Sequence, residues 1–69
     1  MLNPIKKARL LKEMNQKELA ERLGVSVVSV CKWEKGRVFP KITRLKQIAD
    51  VLDTTVDNLL TDSDRKGTA

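Results

Sequence analysis

Only three residues, Gly24-Val25-Ser26, separate two segments with the spacing of short helices, residues 16–23 and 27–35. Helices joined so tightly must cross at close range, which calls for a small side chain inside the first and an achiral residue at the turn. Ala20 and Gly24 supply both. The apolar positions Leu19, Leu23, Val25, Val30 and Trp33 then face inward, leaving Ser26, Val27, Val28, Cys31, Lys32 and Lys35 on the outer side.

The flanking sequence is punctuated in the same manner. Asn3 before Pro4 reads as an N-cap and a first-turn proline, opening a helix over residues 4–13. Asn15 with Glu18 has the spacing of a capping box for the helix that Gly24 ends. Ser26 caps the next helix, and Gly36 stops it before the loop Arg37-Val38-Phe39-Pro40. Ile42, Leu45, Ile48, Ala49 and Leu52 recur at three-and-four spacing, which predicts a fourth helix over residues 42–52 with one buried stripe. Its other face carries Arg44, Lys46, Gln47 and Asp50. Thr55 caps a last helix over residues 56–60, with Asp57 favourable in its first turn. No strand-length alternation and no repeat interrupts this, so the expectation is an all-α domain over residues 1–60, with residues 61–69 a flexible C-terminal tail.

Composition narrows the chemistry. The 69 residues include no histidine and one cysteine, Cys31. A disulfide framework, a zinc finger and histidine-based catalysis therefore have nothing to work with, and no metal, cofactor or enzymatic activity is expected. No small hydrolase can be assembled from Ser26, Ser29 and Cys31 without a general base. No apolar run approaches the ~18 residues of a membrane span, and residues 1–4 lack the layout of a secretory signal, so the chain is read as soluble and cytoplasmic, without a membrane partner. The net charge of +5 points to a polyanionic partner. Its excess lies in residues 1–37, with nine basic and four acidic side chains against five of each in residues 38–69. The densest stretch holds Lys32, Lys35, Arg37, Lys41, Arg44 and Lys46, opposed only by Glu34.

Two short helices in this arrangement form a helix-turn-helix pattern. The run Gln16-Lys17-Glu18-Leu19-Ala20-Glu21-Arg22-Leu23-Gly24-Val25-Ser26 leads the match. Val30-Cys31-Lys32-Trp33-Glu34-Lys35-Gly36 and Pro40 follow, then Leu45, Ile48-Ala49, Leu52 and Val56-Asp57-Asn58-Leu59-Leu60. In that order and spacing the chain resembles the Cro/C1-type (XRE) helix-turn-helix family of phage repressors and related bacterial regulators. The resemblance implies a compact five-helix, lambda-repressor-like DNA-binding domain whose third helix enters the major groove, as a homodimer on a palindromic operator.

It also implies roles for particular residues. Val27, Val28 and Lys32 match the family's base-contacting positions. Valine reads only thymine methyls or shape, whereas Lys32 can donate to guanine O6 or N7. Relatives often carry polar residues where Val27 and Val28 stand. Gln16 matches a glutamine that contacts a phosphate and buttresses the recognition helix. Ser26 and Ser29 suit short phosphate contacts, Ser26 being also a cap. Lys35, the Gly36 N–H and Arg37 fall where the family grips the sugar–phosphate backbone, and Lys41 and Arg44 would extend that grip. Arg9 and Glu34 match an ion pair tying helix one to the recognition helix. Lys41 replaces the usual Ser or Thr cap of helix four.

Trp33 reads as core, and 3% aromatic content is too sparse for Trp33 and Phe39 to form a base-stacking platform. Cys31 has no neighbour to activate it and reads as a small residue at the outer edge of its helix. One of Leu10 and Leu11 is expected to face the core, and the other, with Leu2, to cover the amino-terminal edge or join an interface. Helix five, with Val56, Leu59 and Leu60, is the candidate dimer contact. The expected function is a sequence-specific double-stranded DNA-binding transcriptional regulator, a repressor in most such proteins. The alternative is a helical protein-interaction module, such as an antitoxin or accessory factor, which the exposed valines and spare leucines keep open.

Overall fold

The computed structural model describes residues 3–60. The expected tail at 61–69 and the suggested role of Leu2 lie outside the described residues. Helices α1 (Pro4–Leu11), α2 (Gln16–Leu23), α3 (Val27–Glu34), α4 (Ile42–Val51) and α5 (Val56–Leu59) follow in chain order. The starts fall where the caps place them. Asn3 Oδ1 accepts from the Ile5 N–H, Asn15 and Glu18 form the reciprocal capping box, Ser26 Oγ accepts from Ser29 N–H and Thr55 Oγ1 from Asn58 N–H. Helix α4 opens on Lys41 with no side-chain cap.

Helices α1 to α4 end in one way, a Schellman turn, in which two successive N–H groups reach back to the last carbonyls. In α2 these are Gly24 N–H to Glu21 O and Val25 N–H to Ala20 O; in α3, Gly36 N–H to Trp33 O and Arg37 N–H to Lys32 O. Gly24 and Gly36 hold φ of 71° and 75° there. The same turn closes α1 through Glu13 and Met14, and α4 through Asp53 and Thr54, with Glu13 and Asp53 in the left-handed region at 54° and 55°. This explains why α1 stops at Leu11, two residues before the expected end: the turn brings Met14 into the core. Helices α3, α4 and α5 each end one residue earlier than expected, with Lys35, Leu52 and Leu60 as their C-caps.

The core is one cluster formed by Ile5, Met14, Leu19, Ala20, Val30, Trp33, Leu45, Ile48, Ala49, Leu52 and Leu59. Leu23, Val25, Val56 and Leu60 pack against it partly buried. Helix α2 packs on α3 and α4, and α1 packs on α3 and α5. Around this core two apolar expectations change. Leu10 and Leu11 are 47% and 76% exposed, so neither faces inward. The inward arc of α1 is filled by Ile5, Ala8 and Arg9, and at 100° per residue both leucines fall outside it. Ile42 is 57% exposed, because the stripe that packs against α2 and α5 begins one turn later, at Leu45.

Candidate nucleic-acid interface

Helix α3 divides its residues between two environments. Val30, Trp33 and Glu34 are buried; Val27, Val28 and Lys32 are exposed, and Ser29 and Cys31 are half-buried. Val28, Lys32 and Lys35 lie at four- and three-residue steps and form one row along the exposed side. Ser26, at the start of the helix, is exposed, and its hydroxyl lies 3.2 Å from that of Ser29. At the other end Lys35, Gly36 and Arg37 are exposed in the turn that leaves the helix.

The positive character of this surface depends on where Glu34 goes. Its carboxylate is turned inward, with Oε2 accepting from Arg9 Nε at 2.7 Å and Oε1 from Arg9 Nη2 at 3.0 Å. Arg9 Nη1 donates in turn to the Met14 carbonyl at 2.7 Å, and Gln16 Nε2 donates to Glu34 Oε1 at 3.1 Å. Among the described residues no buried side-chain polar atom lacks a hydrogen-bond partner. The fork geometry of guanidinium and carboxylate suits such a site, since two parallel hydrogen bonds join the charges and each side chain makes a third to another partner. The network joins α1, the turn after it, the first residue of α2 and the last of α3. The ion pair is buried, and the Gln16 amide reaches across to the last residue of α3.

Besides Gln16, Ser26 and Ser29, the Gly36 N–H and Arg44 are also engaged within the protein. The Gly36 N–H points back to Trp33 O at 3.1 Å, and the φ of 75° at Gly36 closes the Schellman turn between the exposed Lys35 and Arg37. Arg44 is half-buried and donates from Nη1 to Leu23 O at 3.1 Å and to Gln47 Oε1 at 2.8 Å, closing the C-terminal end of α2 from α4. Its place at the start of a helix in a basic stretch carried no signal of this role. Nor did the sequence indicate the Met14 carbonyl as the third acceptor for Arg9, because a backbone partner has no residue type to read. Lys41 is exposed.

Other parts of the surface differ in kind. A cleft of about 400 Å³ between α1 and α5 is lined by Pro4, Lys7, Ala8, Leu11, Thr54 and Asn58, and by no residue of α3. Among the described residues no three potential metal ligands cluster, and no helix is long and apolar enough to cross a membrane. In α5, Leu59 is buried and Val56 and Leu60 are partly buried against the core, which leaves little apolar surface on that helix.

Comparison with known proteins bears on this face. The family model described as helix-turn-helix matches residues 5–59. The chain is 38% identical over 56 residues to the HTH-type transcriptional activator BcrR of Enterococcus faecalis, an overlap of 81% of this chain and 28% of that protein. It is 36% identical over 44 residues to the cryptic phage CTXphi transcriptional repressor RstR of Vibrio cholerae serotype O1, covering 64% of this chain and 39% of that protein. The matched region is thus well under half the length of either relative. No solved structure matches the chain significantly.

Proposed function

This chain belongs to the Cro/C1-type (XRE) helix-turn-helix family, and on that premise we propose that it is a sequence-specific double-stranded DNA-binding transcriptional regulator. The observation that carries the reading is the exposed row Val28, Lys32 and Lys35 on a helix whose sole acid, Glu34, is buried against Arg9. Such a helix offers a major groove apolar contacts from Val27 and Val28 and a donor from Lys32 for guanine O6 or N7. Lys35 and Arg37, with Gln16, Ser26 and Ser29, grip the phosphates on either side and set register without reading sequence.

The regulator acts as a repressor, since occupancy of an operator is by itself enough to exclude competing proteins; of the two relatives RstR is named a repressor and BcrR an activator. It works as a homodimer in the cytoplasm, with the two copies of α3 about 34 Å apart along one face of the duplex. The test is selection from a randomised duplex library followed by a salt titration on the winner. The expected result is an inverted repeat, bound with a log–log salt slope of about −0.9 per neutralised phosphate. Undetectable or salt-insensitive duplex binding would overturn the reading in favour of a protein-interaction module.

A further inference from the structure

Asn3 uses both ends of its side-chain amide. Its Oδ1 accepts from the Ile5 N–H at 2.8 Å and the Lys6 N–H at 3.4 Å, capping α1. Its Nδ2 donates to the Trp33 carbonyl at 3.2 Å, thirty residues away in sequence. That carbonyl also accepts the Gly36 N–H, so Asn3 holds the acceptor on which the exit turn of α3 is built. Helix α1 therefore grips the end of α3 at two points, Asn3 on Trp33 and Arg9 on Glu34. The two grips start six residues apart on α1, roughly 9 Å along its axis. With Val30 and Trp33 already packed in the core, two separated ties add a directional constraint on the angle of α3 to α1 that one tie would not give.

We propose that Asn3 is a positioning residue for DNA binding, which fixes the exit turn of α3 so that Lys35 and Arg37 meet the phosphates in register with the base-reading row. The inference rests on the DNA-binding reading above. The residue type supports it: Asn, Asp and Ser cap a helix about equally well, but asparagine alone combines the capping acceptor with an amide donor that reaches Trp33.

Asn3→Ser is the discriminating substitution, because it keeps a capping oxygen and the net charge while removing the long donor. The thermal midpoint is expected to stay close to that of the unchanged protein. Amide hydrogen exchange at Gly36 and Arg37 is expected to accelerate about two- to ten-fold, the range for loss of one net hydrogen bond. Affinity for random-sequence duplex should weaken by a similar factor. Unchanged exchange at Gly36 and Arg37 overturns the proposal and leaves Asn3 a cap alone. So does a loss of affinity that merely follows a fall in the midpoint, with Asn3→Ala and Asn3→Ser behaving alike. The exchange measurement needs no DNA, so it stands apart from failure of the unchanged protein to bind duplex, which would instead remove the DNA-binding reading.

Discussion

Glu34 illustrates how one side chain sets the charge of a surface it does not occupy. Facing outward it would neutralise Lys32 or Lys35; buried against Arg9 and Gln16, it leaves no acidic side chain on the exposed side of α3. Burial of an ion pair is weak evidence of net stabilisation, but removing one partner leaves a buried charge unmet. Glu34→Ala should therefore cost about 3–5 kcal/mol and leave a large unfolded fraction by far-UV circular dichroism, whereas the joint replacement Arg9→Met with Glu34→Leu should recover much of the folded signal. The exposed lysines make a contrasting pair. Lys32→Ala should weaken binding to the selected duplex by about 1–3 kcal/mol, more than it weakens binding to random sequence. Lys35→Ala should weaken both alike and reduce the salt slope by about one phosphate. Competition titrations with the two duplexes separate these outcomes, and equal losses for Lys32→Ala would make Lys32 a phosphate contact.

The helices are short, and their boundaries show which local signals a sequence carries. Each side-chain N-cap lies within three residues of the N–H it satisfies, so Asn3, Asn15, Ser26 and Thr55 were legible at once. The left-handed residue that closes a helix was legible where it is glycine, at Gly24 and Gly36, although α3 still ends one residue before its expected bound. Glu13 and Asp53 adopt the same conformation without that mark, so α1 read two residues too long. A side chain in this region costs roughly 1 kcal/mol or more relative to glycine. Glu13→Gly should accordingly raise stability by up to about 1 kcal/mol, seen as a higher urea midpoint with an unchanged slope. Gly24→Ala should lower it by about as much, although its added methyl meets no atom within 4 Å.

A domain of this length keeps only about 3–5 kcal/mol of net stability from a single core. Truncating a fully buried residue such as Ile48 to alanine costs about 2–5 kcal/mol. Ile48→Ala should thus leave a large unfolded fraction at room temperature, measurable by far-UV circular dichroism. Economy of core also bears on assembly: Leu59 is buried, and Val56 and Leu60 lie partly against the core, so α5 has little apolar surface left for a partner. Helix starts, the tight α2–α3 turn and the inward stripes were readable along the chain because they arise between residues three or four apart. The exposure of Leu10, Leu11 and Ile42, the inward turn of the Gly36 N–H, and the anchoring of Arg44 on Leu23 and of Asn3 on Trp33 were not. Each depends on which neighbouring helix has already filled the space or supplied the acceptor, and that is settled when the helices pack.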